Sequence, residues 1–335
     1  MRVLVTGGTG YLGRTIVRTL AARGHAPVVF ARRATAAQLP GDAIDGDVRD
    51  RAALSAAARG CDAICHAAAL VKIWRKDPAE FDAVNVGGLE NAIAVVRELG
   101  LPRLLYTSSF LALPPAGEHE PIVANDYQRT KAAADAVAQR AAADGAPIVS
   151  MYPGVIYGPG VRSEGNLLGR LLYDHAAGKL PGIVGAEKIW CFSWVDDVAD
   201  AHVAALERGT AGGRYTLGGE NAPQMRPFEI AYAMKKWPLP RTIPYWAATA
   251  LGAIEEVRAR FGARAGDVQP LITRGTVDIF RFDWPLSSEE ARRDLGYAES
   301  SLRQRLPGLL DAIDLETRSG RSSAPPREKT GNSST

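Results

Sequence analysis

The sequence predicts an α/β protein built on a doubly wound parallel sheet, with a smaller C-terminal substrate lobe. Three observations lead to this prediction. Short apolar runs alternate with longer helical patterns as far as Pro153, and a glycine-rich turn separates the first run from the first helix. After Pro153 the chain becomes rich in Gly, Pro and aromatic residues, which is typical of a less regular unit.

The first five apolar runs are typical of parallel strands buried on both faces, because they are continuous rather than alternating. They cover residues 3–6, 28–31, 63–66, 104–107 and 148–152. Helical periodicity fills the stretches between them, at residues 11–23, 52–59, 80–99 and 126–143. Strands joined by crossover helices form βαβ units, so we expect helices on both faces of the sheet.

Length and charge exclude several classes of protein. A chain of 335 residues with 46% hydrophobic residues can bury a core without disulfides or a structural metal. Lys and Arg total 40 against 37 Asp and Glu, a net charge of +3 that does not indicate a nucleic-acid-binding face. The longest apolar stretch, residues 245–254, is too short to span a membrane, and we interpret it as a buried helix or a pocket wall.

The cysteines and the N-terminus indicate a cytoplasmic protein. Cys61, Cys65 and Cys191 form no C-x-x-C pair and have no metal-ligand spacing with histidines or acids, so we expect three ordinary thiols and no metal site. The chain passes from Met1 into the first strand and its glycine turn, without the pattern of a signal peptide.

The glycine turn carries the first functional signal. Gly7, Gly10 and Gly13 lie at three-residue spacing between a strand and a helix, which is the context that a dinucleotide-binding (Rossmann) turn requires. Gly7 permits the tight turn, Gly10 the approach of a pyrophosphate, and Gly13 the contact of helix with strand. The unpaired N–H groups at the helix N-terminus then face the phosphates. A turn that only joins strand to helix is the alternative.

Residues at the ends of strands two and three indicate which dinucleotide, NADP(H) or NAD(H), the protein binds. Strand two ends at Arg32 and Arg33, where an NAD-specific enzyme usually places an acid for the ribose hydroxyls. Two arginines can instead bind a 2′-phosphate through charge-assisted hydrogen bonds, which favours NADP(H). If they only solvate a loop, NAD(H) stays possible. Asp47, followed by Val48, closes strand three, where its carboxylate could meet the adenine amino group.

A proton-transfer group is predicted at the start of the fourth helical stretch. Tyr127 and Lys131 lie four residues apart and therefore share a helix face. A nearby ammonium and an oxidised nicotinamide both favour phenolate, so we expect a lowered pKa for Tyr127, which would exchange a proton with a carbinol. Ser109, at the end of a strand, is the hydroxyl that we expect to position the substrate oxygen.

In these motifs the chain resembles the extended short-chain dehydrogenase/reductase superfamily. The segments that match it in order are the glycine turn, 66–69, 84–86, 106–109, Tyr127 with Lys131, 153–160 and 194–199. Segments 69–74, 165–167 and 217–221 are most similar to the dihydroflavonol 4-reductase-like branch, which includes farnesol dehydrogenase-like proteins. Two departures are a short interval between Ser109 and Tyr127, which implies a reduced lid, and Thr130 where serine often precedes the lysine.

The resemblance implies a role for each matched residue. It places Gly7, Gly10, Tyr11, Leu12 and Gly13 at the pyrophosphate, Arg32 at the 2′-phosphate, and Asp47 with Val48 at the adenine. It places Ala67, Ala68 and Ala69 beside the nicotinamide, Lys131 at its ribose, and Pro153, Val155 and Ile156 near its carboxamide. It also implies Asn166 as a substrate-binding residue, and a homodimer built on the helices 80–99 and 126–143.

The predicted substrate pocket is largely apolar. Its expected residues are Val71, Ile73, Trp74, Phe110, Leu111, Tyr157, Leu167 and Leu168. A nucleotide-sugar site would need basic residues for a diphosphate, so these side chains favour an apolar carbonyl or alcohol, although many of them could equally be core. Arg162 and Arg170 keep a diphosphate site open.

Three functional hypotheses follow, in this order. The first is an NAD(P)-dependent oxidoreductase that transfers a hydride between nicotinamide and a small apolar carbonyl or alcohol. The second is a sugar-nucleotide epimerase or dehydratase that retains its NAD. The third is a non-catalytic dinucleotide sensor, which the presence of Tyr127 and Lys131 argues against.

The domain limits expected from the sequence are the following. Residues 1–153 form the dinucleotide-binding domain, and residues 191–217 return to it. Residues 154–316 are mainly the substrate-binding lobe, and residues 317–335 are a disordered tail because they are polar and lack apolar periodicity.

Overall fold

The computed structural model describes residues 1–261 and 269–322, and of residues 318–322 it describes the backbone alone. The strands in chain order are β1 (Arg2–Thr6), β2 (Ala26–Ala31), β3 (Asp42–Asp45), β4 (Ala63–His66), β5 (Leu104–Thr107), β6 (Ile148–Pro153), β7 (Val155–Tyr157), β8 (Ile189–Trp194), β9 (Arg214–Leu217) and β10 (Glu220–Pro223).

The helices in chain order are α1 (Tyr11–Ala22), α2 (Arg51–Ala58), α3 (Ala79–Phe81), α4 (Gly87–Leu99), α5 (Asp126–Ala143), α6 (Leu167–Ala176), α7 (Val195–Arg208), α8 (Arg226–Lys235), α9 (Tyr245–Phe261), α10 (Arg274–Ile279), α11 (Glu289–Leu295) and α12 (Leu302–Ser322). The predicted strands and helices are all present, with ends that differ from the prediction by no more than two residues. The helix expected over 80–99 is interrupted by a π-helical turn at Asp82–Val86, between α3 and α4.

Seven parallel strands form the central sheet, in the order β3-β2-β1-β4-β5-β6-β9. The order reverses between β1 and β4, which is the arrangement of a doubly wound dinucleotide-binding sheet. The predicted fold class is therefore confirmed. Ligands of such sheets bind beyond the carboxyl ends of the strands at this reversal, so the topology already indicates where the site lies.

Apolar helix faces cover both sides of the sheet. Helices α1 and α7 pack against each other on one side, around Ile16, Leu20 and Val198. Helices α2, α4 and α5 lie on the other side, where Leu54, Leu89 and other apolar residues form a second core. Because strands with such cover are buried on both faces, β1, β4 and β5 are mainly apolar and show no alternation of apolar and polar residues.

A second, three-stranded sheet organises the C-terminal part of the chain. Strand β8 pairs with β7 in parallel and with β10 antiparallel. Helices α6, α8 and α12 surround an aromatic-rich core in which the ring of Phe110 packs edge-on against Trp190 and Trp284, at centroid distances of 5.9 and 5.4 Å. Such edge-to-face contacts orient large side chains as well as burying them, so this core forms a rigid wall beside the main sheet.

Elements after residue 190 are divided between the two sheets. Strand β9 completes the central sheet and α7 packs on α1, whereas β8 belongs to the smaller sheet. The last helix continues to Ser322, beyond the position where the tail was expected to begin. Residues 323–335 of that expected tail lie outside the described residues.

Two further findings concern the described residues as a group. Within residues 1–261 and 269–322, no helix is long and apolar enough to cross a membrane. Cys61, Cys65 and Cys191 are free and buried, and burial raises the pKa of each thiol above its ordinary value.

Ile16 tests the packing of α1 on the sheet. Its side chain is fully buried between α1 and the strands, so Ile16→Ala leaves a cavity and should lower the free energy of unfolding by roughly 2–5 kcal/mol. Arg18→Ala, on the exposed side of the same helix, should change it by less than about 0.5 kcal/mol. Urea unfolding followed by circular dichroism measures both variants, and equal losses would contradict this packing.

Candidate active site

The glycine turn between β1 and α1 brings backbone atoms closer than any side chain would allow. Gly7 has a φ of +68°, and a Cβ on it would lie 2.6 Å from the Cα of Ala68. A Cβ on Gly13 would lie 2.2 Å from the carbonyl oxygen of Gly7. Gly10 caps α1 without a side-chain hydrogen bond, so the first N–H groups of the helix stay open to an anion. The turn therefore has the shape that a dinucleotide pyrophosphate requires.

One large cavity, of about 1110 Å³, runs along the carboxyl ends of the central strands. This exceeds the roughly 300–1,000 Å³ of a site for one small ligand, which leaves room for a dinucleotide together with a substrate. The residues that the sequence predicts for the cofactor all line this cavity: Gly7, Gly10, Tyr11, Leu12, Gly13, Arg32, Asp47, Val48, Ala67, Ala68, Ala69, Lys131, Pro153, Val155 and Ile156. What these residues bind stays a prediction.

The end of the cavity beside β2 and β3 is basic. Arg32 and Arg33 line it, and neither forms a hydrogen bond or ion pair with another residue of the described chain. Arg49, which the sequence analysis missed, binds Asp47 through two side-chain hydrogen bonds of 3.0 and 2.6 Å. These bonds hold the pKa of Asp47 below its ordinary value. An adenine amino group would therefore share the Asp47 carboxylate with Arg49.

The predicted proton-transfer residues meet at the middle of the cavity. Helix α5 begins beside it because the Asn125 side chain accepts a hydrogen bond from the N–H of Gln128, at 2.9 Å. Tyr127 and Lys131 follow on one face, and the Lys131 Nζ donates to the carbonyl oxygen of Thr107 at 3.0 Å. Ser109, at the end of β5, lines the same space. The structure thus brings Ser109, from the end of β5, to the same space as Tyr127 and Lys131 on α5.

Burial controls the protonation of these groups. It raises the pKa of Tyr127 to about 12, although hydrogen bonding from Ser109 acts in the opposite direction. It lowers the pKa of Lys131 to about 8, although the charge of Asp135 acts in the opposite direction. In the protein alone, burial raises the pKa of Tyr127 and outweighs the hydrogen bond from Ser109, and the lowered pKa expected beside an oxidised nicotinamide stays a prediction. At neutral pH the phenol is protonated and the lysine is mainly charged.

Asn85 is a buried residue that connects two segments beside the cavity, a contact that the sequence did not predict. The π-helical turn points its side chain between two walls of the cavity, where Oδ1 accepts from the Leu70 N–H at 2.7 Å and Nδ2 donates to the Thr130 hydroxyl at 3.0 Å. Asn85 thereby joins the segment after β4 to α5. Thr130, which stands where serine often precedes the lysine in the superfamily, provides the hydroxyl for this hydrogen bond. The 84–86 match was the only available signal.

A second missed contact crosses the cavity. Lys72 donates to both carboxylate oxygens of Glu164 at 3.1 Å, and both residues line the cavity. Lys72 follows β4 and Glu164 follows β7, so the ion pair connects two loops far apart in the chain. No sequence signal marks such a pair, because only the fold brings the two loops together.

Several predicted substrate residues do not line the cavity. Trp74 is half-buried outside it, while its neighbours Ile73 and Arg75 face inward. Tyr157 is fully buried and packs edge-on against Trp194 at 5.3 Å. Asn166 is buried and donates to the Gly158 carbonyl at 3.0 Å, which makes it a support of the loop.

Two further expected residues, Leu168 and Arg162, also lie away from the cavity. Residues 167, 170, 171 and 174 of α6 face the cavity at helical spacing, so Leu168 faces the core. Arg162 pairs with Glu316 and stacks on the ring of Tyr173, 3.7 Å from its centroid. Leu168 lies on the face of α6 turned away from the cavity, and the loop that carries Arg162 directs its side chain outward. Neither direction follows from the local sequence.

The remaining walls of the cavity are mainly apolar. Phe110 lines it as predicted, together with Val71, Ile73, Leu111, Leu167, Leu171, Leu180, Ile183, Trp190, Leu251, Ile272 and Phe280. Helix α9 covers the predicted segment 245–254 and forms one wall through Ala248 and Leu251, whereas Trp246 and Ile254 on its other face are exposed. Arg170 and Lys179 also line the cavity, and neither pairs with another described residue. A largely apolar ligand fits this part best.

Comparison with known proteins agrees with this geometry. The model of the NAD dependent epimerase/dehydratase family matches residues 3–218, more than half of the chain. The chain belongs to this family. Its fold is that of the extended short-chain dehydrogenases/reductases, and enzymes of the family use a nicotinamide cofactor. The coarse functional conclusion is an oxidoreductase of this family.

Individual relatives cover nearly the whole chain. Sterol demethylase protein B of Methylococcus capsulatus is 31% identical over 320 residues, which are 90% of this chain and 95% of the relative. The 2-alkyl-3-oxoalkanoate reductase of Stenotrophomonas maltophilia is 31% identical over 317 residues, which are 89% and 94% of the two chains. The crystal structure of gox2253 superposes with a TM-score of 0.76 at 28% identity and covers 95% of this chain and 98% of its own.

Gly13 tests whether the turn holds a dinucleotide. Gly13→Ala places a methyl group against the backbone of Gly7, which cannot rotate away, so α1 must move and the affinity for a nicotinamide dinucleotide should fall at least about tenfold. Gly308→Ala is the control, because a Cβ there meets nothing within 4 Å. Fluorescence titration with NADPH measures both. Unchanged affinity in Gly13→Ala would contradict the assignment of the pyrophosphate to this turn.

Proposed function

We propose that this chain is an NADPH-dependent reductase of a small, mostly apolar ketone or aldehyde, and that it oxidises the corresponding alcohol in reverse. One observation carries the proposal: Ser109, Tyr127 and Lys131 line the same cavity as the glycine turn, and the rest of that cavity is largely apolar. A substrate carbonyl beside Tyr127 would thus lie next to a cofactor held by the turn.

The cofactor residues fit a dinucleotide along its whole length. The α1 N-terminus would hold the pyrophosphate, Ala67 to Ala69 and Pro153 to Ile156 would enclose the nicotinamide, and Lys131 would hold its ribose. The bound cofactor supplies the hydride. Arg32 and Arg33 support NADPH over NADH, because unpaired guanidinium groups at the end of β2 suit a 2′-phosphate and no acid is present there for a ribose.

The protein supplies the proton and the orientation. Ser109 would donate a hydrogen bond to the substrate oxygen, and Tyr127 would protonate that oxygen as the alkoxide develops. Charged Lys131 would stabilise the phenolate that is left. The raised pKa of Tyr127 supports the direction of reduction, because carbonyl reduction needs the phenol with its proton.

The apolar walls support the substrate class. Val71, Ile73, Leu167 and Leu171 offer no hydrogen bonds, so the ligand part beside them is hydrocarbon or aromatic. A dihydroflavonol-like ketone or an isoprenoid aldehyde has this character. The related 2-alkyl-3-oxoalkanoate reductase is named for another substrate that carries alkyl chains next to a ketone.

We further propose that the enzyme is cytoplasmic and forms a homodimer. The three unpaired cysteines support a reducing compartment. The dimer is supported by α4 and α5, which pack beside each other on one face of the sheet and resemble the helices that pair across the dimer in this superfamily.

Arg170 and Lys179 favour one alternative, a sugar-nucleotide epimerase or dehydratase with retained NAD. These two cations line the cavity without partners and could bind a diphosphate. This enzyme would copurify with NAD and consume no free cofactor. A third hypothesis, a non-catalytic dinucleotide sensor, does not explain why Tyr127 and Lys131 are present in the cavity.

Tyr127→Phe tests the chemistry. Loss of the hydroxyl removes the proton donor, so NADPH oxidation with active ketones or aldehydes should fall by about 10²- to 10⁴-fold while NADPH still binds. The measurement is absorbance at 340 nm with a panel of dihydroflavonols, isoprenoid aldehydes and simple ketones. Tyr232→Phe, at an exposed position on α8, is the control and should keep full activity. A fully active Tyr127→Phe would exclude the proposed role.

Arg32→Ala and Arg33→Ala test the cofactor preference. A charge-assisted hydrogen bond contributes about 1.5–3 kcal/mol, so loss of the arginine that binds the 2′-phosphate should weaken NADPH binding about 10- to 150-fold and leave NADH binding nearly unchanged. Dissociation constants from fluorescence titration give both values, and Arg97→Ala on α4 is the remote control. Equal effects on NADPH and NADH would mean that these arginines do not read the 2′-phosphate.

A further inference from the structure

A buried carboxylate lies directly behind the proposed active site. Asp135 is 3% exposed and follows Lys131 by one turn of α5. Its Oδ1 accepts a hydrogen bond from the Tyr152 hydroxyl at 2.5 Å, and its Oδ2 accepts one from the Gln139 amide at 2.5 Å. The Ser108 hydroxyl, next to Ser109, lies 3.5 Å from Oδ1. Neutral donors thus provide most of the hydrogen bonds that the Asp135 oxygens accept.

Among the residues that the structure describes, Arg214 is the cation that touches Asp135, and it leaves part of the negative charge of Asp135 uncompensated. Arg214 on β9 approaches Oδ2 at 3.4 Å, but its side chain is 47% exposed, and its Nε donates to the Tyr152 hydroxyl at 2.9 Å. A guanidinium that reaches into solvent is screened by water and neutralises a buried acid incompletely. The field of Asp135 therefore still acts inside the core, where Lys131 is the neighbouring cation.

The other groups around Lys131 do not provide a negative charge. Tyr106 on β5 presents its ring, 5.5 Å from the Lys131 Nζ, and Tyr127 lies on α5 itself. His66 on β4 is neutral, because burial lowers its pKa to about 3. His202 on α7 donates or accepts at the Thr107 hydroxyl and is neutral as well, with a pKa lowered to about 4.

Tyr152 on β6 points its hydroxyl at Asp135, and Arg214 on β9 is a cation. Among the described residues, Asp135 is the buried acid that lies on the same face of α5 as Lys131, one turn away, and its charge opposes the effect of burial on the pKa of Lys131.

We propose that Asp135 is a positioning residue of the reaction, whose buried carboxylate keeps the Lys131 ammonium charged inside the protein and holds the Ser108–Ser109 strand end in place. The proposal rests on the proposed function for its role in turnover. Its electrostatic part concerns the protein alone. Asp135 acts through Lys131 and Ser108 and has no contact with the reacting atoms.

The sign of the effect follows from the charges. Asp135→Asn keeps the size of the side chain and removes its negative charge, so burial lowers the pKa of Lys131 further, from about 8 by about one pH unit or more. The neutral amine then stabilises the Tyr127 phenolate less. We expect kcat/KM for carbonyl reduction to decline at high pH as Lys131 loses its proton, and in Asp135→Asn this decline should move to lower pH by the same amount.

The experiment measures Lys131 directly and then in turnover. NMR of protein labelled with ¹³C-lysine gives the Lys131 titration without any substrate, with the resonance assigned by its absence in Lys131→Arg. The variants are Asp135→Asn, Asp135→Glu, which should restore the titration of the original protein, and Gln139→Ala, which removes a hydrogen bond from Asp135 but no charge. The pH profile of kcat/KM is then recorded for the same set.

Arg214→Gln provides a variant of opposite sign. Removal of this cation strengthens the field of Asp135 at Lys131, so the pKa of Lys131 should rise, and this partly exposed site keeps the test available if Asp135→Asn does not fold. An unchanged Lys131 titration in Asp135→Asn, or an equal change in Gln139→Ala, would overturn the proposal. Should no ketone be reduced, the NMR titration still decides the electrostatic role, so the two proposals fail separately.

Discussion

The approach of α1 to β1 at the glycine turn is the constraint on which the rest of this structure depends. Backbone atoms of Gly7 and Gly13 meet at a distance that excludes a Cβ, and this contact aims the open N-terminus of α1 along the carboxyl edge of the sheet. The parallel strands then deliver their ends to the same edge, because each is returned there by a crossover helix. The cavity is a consequence of this one junction and of the sheet order.

Desolvation is the second physical theme of the site. The space around Tyr127 and Lys131 is apolar enough to keep the phenol protonated and to weaken the hold of the lysine on its proton. Both effects come from the removal of water. The charge of these two side chains then depends on the few polar groups around them. Asp135 and the Thr107 carbonyl are such groups, and they belong to α5 and β5, the elements that also position Tyr127, Lys131 and Ser109.

Local sequence patterns made much of the site predictable. The glycine spacing, the Tyr127–Lys131 pair and the strand-end position of Ser109 each follow from short-range rules, and the cavity contains them all. Prediction was weaker in the substrate part. Asn166 and Tyr157 belong to motifs, but Asn166 binds a loop and Tyr157 packs in the core. Trp74 lies in a segment without periodicity, so no local pattern defines the direction of its side chain.

The sequence by itself determined the fold class, the order of its main elements and the groups at the glycine turn and at the start of α5, because periodicity and spacing are local properties. Tertiary structure alone decided the Lys72–Glu164 pair, the wall contributed by α9, the carboxylate behind Lys131 and the protonation of Tyr127. These depend on which distant segments exclude water from one another, and no stretch of sequence contains that information.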